Sequence, residues 1–435
     1  MTIFSDLPPD LVKEILSRVP LRSMRSVRYT CKQGNILSKD GTFLKKLIKQ
    51  EQGKRTIWRL YTMTMMSKLS TELVEEILSR VPMTSMRSVR CTCRNWNTIC
   101  KDATFTKKHL SQTTSKGEIL TVVMMNCSLH LMRVNLQRGG LDHPTIKTTG
   151  KLISLDDSYQ VVVSRVCHCD GLLLCTTEAY SWLAVWNPFT SQTRWICVEP
   201  TSVRHRKLWY SHALGYEEGK SFRIYKILRF AGNVHEIYAL KNSDSWRVLD
   251  VNTDWDIGYD NHGVSLKGNT YWYAKVAGGV GFLLCFDFTR ERFGPLMPLP
   301  FECFSDDAVI LSSVGEEQQQ LAVLFQHRET FEMEVWVTTK VEPDAVSWSM
   351  FFAVDMGPLT GFRFNTGGSF VVDEENAAVV VFDEDRNVEK PTRNTAYIVG
   401  FGESSYFREV DLGKITTGKE GFPHACSYVP SSVQT

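Results

Sequence analysis

Apolar residues between positions 69 and 82 recur at the spacing of an α-helix. They stand at i, i+1, i+4, i+5 and i+8 and are Leu73, Val74, Ile77, Leu78 and Val81. This spacing places all five along one stripe of a helix. Ser70 suits the N-cap position, and Pro82 predicts the helix end because proline lacks the backbone donor.

The same pattern occurs twice. Residues 7–47 align without a gap to residues 69–109 at an offset of 62, with 25 of 41 positions identical. The first copy has the stripe Leu11, Val12, Ile15, Leu16 and Val19. A second short helix is predicted around Met86, Val89 and Cys93, and a third begins near Trp96. Three short helices bury little core, so we expect a partner to cover the stripe. Packing inside an unrelated three-helix bundle is the alternative.

From about Ile119 the pattern changes to short apolar runs rich in β-branched and aromatic residues, separated by turns, which indicates an all-β body. One unit recurs: a strand, a polar turn and a strand with an aromatic residue. It starts at residues 183, 237, 282, 334 and 395, in steps of 54, 45, 52 and 61. A period near 50 predicts a β-propeller, with residues 119–134 as a possible sixth unit. A two-sheet sandwich is the structural alternative.

Charge divides the chain as sharply as hydrophobicity does. Residues 1–116 contain 22 Lys and Arg against 9 Asp and Glu, a net of +13, whereas residues 117–435 contain 28 against 39, a net of −11. A basic head predicts an acidic partner. The sequence shows neither a secretory signal nor a membrane span, and its 12 cysteines have irregular spacing. We therefore expect reduced thiols and a location in the nucleus, the cytoplasm or both.

No motif predicts catalysis, a cofactor or a metal. Cys167, His168 and Cys169 lack a second ligand pair at zinc spacing. Gly219-Lys220-Ser221 resembles the end of a phosphate loop, but Leu214 stands where its first glycine belongs, so a hairpin turn is predicted instead. A propeller-scaffold enzyme or a nucleic-acid-binding head is therefore a less favoured function, and no membrane partner is expected.

The repeated head resembles the F-box. The shared features are Leu-Pro-x-Asp-Leu-Val-x-Glu-Ile-Leu-Ser-Arg-Val-Pro, then Ser-Met-Arg-Ser-Val-Arg, Cys-Lys/Arg-x-Trp-Asn and Asp-x-x-Phe. This resemblance implies docking to the acidic Skp adaptor of cullin-RING (SCF) ubiquitin ligases. In copy one the predicted adaptor contacts are Leu7, Pro8, Leu11, Ile15, Leu16 and Pro20. In copy two they are Leu69, Leu73, Val74, Ile77, Leu78, Val81, Pro82, Met86, Val89 and Trp96.

The two copies depart from the F-box pattern at different positions. Copy one has Gly34 where copy two has Trp96, and copy two has Ser70 where the family usually has proline. Losing a packed tryptophan costs several kcal/mol, whereas Ser70 still caps a helix. We therefore expect copy two to be the working dock and copy one to be degenerate.

The body resembles the F-box-associated interaction domain of plant F-box proteins. The similar segments are Cys169–Cys175, Val185–Thr190, Leu214–Tyr216, Val264–Trp272 and Phe286–Phe288. The resemblance implies an α+β multidomain chain with two three-helix modules followed by an all-β, kelch-like propeller of about six blades. It also implies a non-catalytic substrate receptor that binds Skp, through it cullin and a RING protein, and an unknown protein substrate. A degenerate or non-ligase adaptor-binding protein is the alternative.

These observations predict five segments. They are F-box copy one at 1–50, a linker at 51–66, F-box copy two at 67–112, the propeller at 119–412 and a C-terminal tail at 413–435.

Overall fold

The structure of the 435-residue chain is a computed structural model. It describes residues 70–81, 86, 90, 94–102, 104–106 and 108–109 of the head, and most of residues 117–434. The gaps in this second range are 138–143, 153–161, 178–181, 191, 199–209, 220–221, 242–244, 252, 259, 277–278, 305–306, 316–318, 359–362, 366, 386–390, 402–405 and 417–421. The first repeat lies outside the described residues.

The chain divides into two compact units. The helical unit contains residues 1–116, 187–192 and 430–434, and the propeller unit contains residues 117–186, 193–429 and 435.

In the helical unit, helix α1 spans Thr71–Ser79 and helix α2 spans Arg94–Ile99. Ser70 is the N-cap of α1, and its hydroxyl accepts a hydrogen bond from the backbone N–H of Leu73 at 3.4 Å, as predicted. Helix α2 begins close to Trp96, where the sequence predicts the start of the third helix. Met86 and Arg90, the described residues of the predicted second helix, are both helical.

The propeller unit is built from antiparallel strands in six sheets, which confirms the predicted six blades. The first twelve strands are β1 Glu118–Met125, β2 Ser128–Asn135, β3 Thr145–Lys151, β4 Val163–Cys169, β5 Leu172–Thr177, β6 Trp182–Asn187, β7 Gln192–Cys197, β8 Ser211–Glu218, β9 Arg223–Ala231, β10 Val234–Ala239, β11 Arg247–Leu249 and β12 Trp255–Asp256. The others are β13 Val264–Leu266, β14 Asn269–Val276, β15 Gly281–Asp287, β16 Arg292–Phe293, β17 Ala308–Val314, β18 Gln320–Gln326, β19 Glu332–Glu342, β20 Ala345–Asp355, β21 Ser369–Asp373, β22 Ala378–Glu384, β23 Arg393–Gly400, β24 Tyr406–Lys414 and β25 His424–Ser427.

The recurring unit in the sequence corresponds to the third and fourth strands of a blade. Blades two to six are β4–β7, β8–β11, β13–β16, β17–β20 and β21–β24, and β12 is an additional strand on β14. The five predicted starts lie in β6, β10, β15, β19 and β23 or within one residue of them. Asp287, at the end of β15, shows why the turn recurs. Its Oδ1 accepts hydrogen bonds from the backbone N–H groups of Thr289 and Arg290, both at 2.9 Å, and so fixes the turn into the fourth strand.

The ring of blades is closed by the two ends of the unit. Strand β25 is the inner strand of the first blade, in the order β25-β1-β2-β3, and Val122 lies opposite Cys426. The sheet therefore extends past the predicted boundary at residue 412 into the segment predicted as a tail. Strand β25 has only four residues, two of them polar, and so carries too little hydrophobic periodicity to be predicted from the sequence. The predicted sixth unit at residues 119–134 corresponds to β1 and β2.

Large hydrophobic clusters join neighbouring blades. One includes Ile310 of the fifth blade and Tyr397 of the sixth, and another includes Leu228 of the third and Trp272 of the fourth. Because adjacent strands are antiparallel, the turns between second and third strands and the segments that join consecutive blades lie at one face, which we name the connecting face.

Candidate functional site

The stripe of α1 is largely buried inside the helical unit. Val74 and Leu78 pack in one cluster with Met86 of the second helix and Trp96 of α2. The cluster also contains Ile99, Cys100, Phe105 and Phe189. The predicted contacts Val74, Leu78, Met86 and Trp96 therefore hold the unit together, because their side chains are at most 7% exposed.

Of the other predicted contacts on α1, Ile77 is buried, and Leu73 and Val81 are half-buried. Val81 packs against the cluster, whereas Leu73 is not a member of it. Leu69, Pro82, Val89 and the six contacts in copy one lie outside the described residues. Adaptor binding by any of these residues stays a prediction, and Leu73 is the described contact on α1 that is half-buried and lies outside the cluster.

Charged side chains border the exposed part of α1. Glu76 Oε1 lies 2.6 Å from an Nη atom of Arg80, and its Oε2 lies 3.6 Å from Nζ of Lys108. At Glu72, hydrogen bonds with its own backbone and with Ser70 lower the carboxyl pKa. The accessible side of the helix therefore combines one apolar residue with fixed charges.

Phe189 is a member of this cluster that the sequence reasoning missed. Asn187 fixes the turn that carries it: Oδ1 accepts from the N–H groups of Phe189 and Thr190 at 2.9 and 3.0 Å, and Nδ2 donates to the carbonyl oxygens of Ser431 and Val433 at 2.9 and 2.7 Å. The Asn-Pro-Phe-Thr motif was assigned to the propeller body. The one sequence signal that this motif also serves the helical unit is the aromatic side chain of Phe189 on an otherwise polar turn.

His109 connects Phe189 to the end of α1. The two ring centroids are 5.5 Å apart in a T-shaped arrangement, and Nε2 of His109 lies 2.6 Å from the carbonyl oxygen of Val81. His109 is fully buried. The contact with Val81 therefore holds the segment after α1 against the residues that follow α2.

In the propeller unit, a cavity of about 30 Å³ lies between the inner strands. Its lining includes Cys167 and His168 of β4, His262 before β13, and His424 and Cys426 of β25. The rings of His262 and His424 stack at 3.8 Å. In the predicted Cys167-His168-Cys169 triplet, Nε2 of His168 accepts a hydrogen bond from the N–H of Gly171 at 3.0 Å.

Burial keeps three titratable groups of this cavity, Cys167, Cys426 and His424, uncharged at neutral pH. It raises the pKa of Cys167 to about 11 and that of Cys426 to about 12, so both thiols are protonated at neutral pH. Burial and the nearby charge of Arg165 lower the pKa of His424 to about 4. Protonated thiols and neutral imidazoles supply no activated nucleophile. Among the residues that the structure describes, no group of three or more His, Cys, Asp or Glu could hold a metal ion.

The third blade contains a buried ion pair. Nε of Arg229 lies 2.5 Å from Oε2 of Glu236, and both side chains are at most 1% exposed. The guanidinium of Arg229 also lies 4.1 Å from the ring centroid of Trp246 and 5.3 Å from that of Tyr210. These contacts lock β9 to β10 and to the aromatic residues that flank them.

The predicted turn at Gly219 joins β8 and β9, where the N–H of Gly219 donates to the carbonyl oxygen of Phe222 at 3.2 Å.

In the described parts of the chain, no helix has the length and hydropathy that a membrane span requires.

Comparisons with known proteins match both parts of the chain. The F-box domain model matches twice, at residues 4–45 and 66–108, and the F-box associated beta propeller domain model matches residues 120–435. A putative F-box protein of Arabidopsis thaliana is 50% identical over 391 residues, which cover 85% of this chain and 96% of the relative. An F-box/kelch-repeat protein of the same plant is 46% identical over 404 residues, which cover 86% of this chain and 100% of the relative.

Proposed function

Because this chain belongs to the family of F-box proteins with an F-box associated β-propeller domain, we propose that it is the substrate-recognition subunit of an SCF ubiquitin ligase. Its second F-box docks to a Skp-type adaptor, and its propeller binds the protein to be ubiquitinated. The observation that carries the proposal is the order of the modules: a complete F-box with Trp96 in its core precedes a closed six-bladed propeller.

In this role the chain performs no covalent chemistry. It contributes proximity, because holding a target beside a ubiquitin-charged enzyme converts an encounter between separate molecules into a reaction within one complex. The protonated thiols and neutral histidines of the propeller cavity are consistent with such a non-catalytic part. Nucleus, cytoplasm or both are the proposed locations, because Skp and cullin must be available there.

Leu73 provides the sharpest test of adaptor docking. Leu11 is its counterpart at the offset of 62, so Leu73→Asp and Leu11→Asp form a matched pair. The full chain, each variant and a purified Skp-type adaptor are compared in a pull-down. Leu73→Asp should lose the adaptor, because a charge would replace an apolar contact, and Leu11→Asp should retain it.

Loss only in Leu11→Asp would make copy one the dock, and retention by both variants would reject docking through this helix position. Circular dichroism checks that each variant keeps its helices. Cullin is then added to the captured complex. Its absence beside bound adaptor would favour a non-ligase adaptor-binding protein.

A further inference from the structure

Two exposed apolar side chains stand side by side at the connecting face of the fourth blade. Val280, before β15, is 62% exposed, and Phe304, after β16, is 67% exposed. Their chain neighbours pack closely, because a Cβ on Gly281, next to Val280, would lie 2.7 Å from Sγ of Cys303, next to Phe304. Sγ of Cys303 in turn lies 3.3 Å from the hydroxyl of Tyr273. This packing therefore brings the chain at Val280 close to the chain at Phe304.

Three carboxylates lie on the same part of the connecting face as this apolar pair. Asp256 of β12 lies opposite Lys275 of β14, and Lys275 lies opposite Gly281 of β15, so the three residues form one row across the sheet. At the usual spacing of strands, Asp256 is about 10 Å from Gly281. Asp254 stands two residues before it, and Glu302 is the neighbour of Cys303 in the sequence.

These acidic side chains are available to a partner. Asp254, Asp256 and Glu302 are exposed, and within the described residues none of them forms an ion pair. The two described cations nearby are Lys275, whose Nζ lies 5.2 Å from the ring centroid of Tyr273, and Arg328, on the turn after β18. The balance of charge on this part of the connecting face is therefore negative.

We propose that this surface binds a basic segment of the target protein that carries an exposed aromatic or aliphatic side chain. We name it the acidic-apolar patch and define it by Val280, Phe304, Asp254, Asp256 and Glu302. The inference rests on the proposed function, since it names the class of target that the propeller receives. The apolar pair anchors the segment, and the carboxylates select its charge.

Two other exposed apolar residues lack one part of this arrangement. Phe222 is 52% exposed, and Nζ of Lys241 lies 3.5 Å from its ring centroid. Val248 is 63% exposed but stands on β11, the outer strand of the third blade. Phe222 and Val248 therefore match Phe304 and Val280 in type and in exposure, and they serve as controls.

The test uses the full chain and three synthetic peptides of equal length. The first combines lysines with leucine and phenylalanine, the second replaces its apolar residues by serine, and the third replaces its lysines by glutamate. Fluorescence anisotropy measures binding to the wild type, to Val280→Ser/Phe304→Ser and to the control Val248→Ser/Phe222→Ser. A third variant, Asp254→Asn/Asp256→Asn, tests the charge.

We expect only the first peptide to bind the wild type tightly. Its affinity should fall roughly tenfold in the patch variants, as is usual when an interface anchor is removed, and should stay unchanged in the control. Raising the salt concentration should also weaken it. Equal binding of the first two peptides, equal loss in the control, or no binding by the wild type would overturn the inference.

The same proteins are assayed for capture of the Skp-type adaptor. Patch variants that lose the peptide should still capture the adaptor. Normal adaptor capture without peptide selectivity would reject the patch alone, whereas failure of the wild type to capture the adaptor would reject the proposed function.

Discussion

Replacing Trp96 by glycine should unfold the helical unit, and the chain itself suggests this experiment because Gly34 occupies the same position in the first repeat. Trp96 is 7% exposed and packs among Val74, Leu78 and Phe189. A buried tryptophan removes about 150–250 Å² from water, worth about 4–6 kcal/mol at ~25 cal/mol per Å². Glycine inside α2 costs about 1 kcal/mol more. The total matches or exceeds the ~3–5 kcal/mol that so small a core supplies.

Hydrogen exchange of the α1 amides, residues 71–79, measures this loss directly. In Trp96→Gly these amides should exchange at rates close to those of an unfolded chain, whereas Trp96→Phe should keep most of their protection because an aromatic ring still fills the site. Amides in the central strands of the propeller serve as the internal control. Protection of α1 in Trp96→Gly at the level of the wild type would refute the assignment of Trp96 as the centre of this core.

Three further predictions follow from buried side chains. Phe189→Ala should lower the free energy of opening measured by hydrogen exchange of the α1 amides by about 3–5 kcal/mol, and it should leave the propeller folded. Unchanged exchange of these amides would contradict the place of Phe189 in the cluster. Arg229→Met should destabilise the propeller by about 3–5 kcal/mol in urea unfolding, because the buried Glu236 loses its ion pair with Arg229; Arg229→Met/Glu236→Leu should recover much of this loss. Since burial lowers the pKa of His424 to about 4, its contribution to stability is present above pH 6.5 and declines as the pH falls from there to about 4. His424→Gln should make the free energy of unfolding depend less on pH across this window, and equal slopes would count against the shift.

Elements with strong local patterns were predictable from the sequence. The α1 stripe has an N-cap at Ser70, and blades two to six carry the same strand-turn-aromatic unit in their third and fourth strands, so both elements have a readable signal. Strand β25 has four residues, and β13 has three. Such short strands exist because neighbouring strands satisfy their backbone hydrogen bonds, and this cause is not local. The closing strand was therefore assigned to a tail.

The relatives clarify the duplicated head. Their matches cover nearly their own whole length but only 85% and 86% of this chain, and the unmatched share has about the size of one head repeat. A share of this size agrees with the two matches to the F-box model. Copy one has Gly34 where copy two has Trp96, so the prediction that copy one is degenerate rests on the loss of this aromatic side chain.

The structure also changes the reason for expecting a partner. The sequence argument holds that a three-helix core is too small to cover its own stripe. Val74 and Leu78 are nevertheless covered, because Trp96 and Phe189 complete the cluster. Among the described residues of the stripe, the side of α1 that carries Leu73 is the part left for a foreign surface, with the ion-paired Glu76 and Arg80 beside it. A docking surface of this kind selects its partner by one apolar contact and by charge, so substitutions at Leu73 should affect binding far more than folding, and substitutions at Leu78 should affect both.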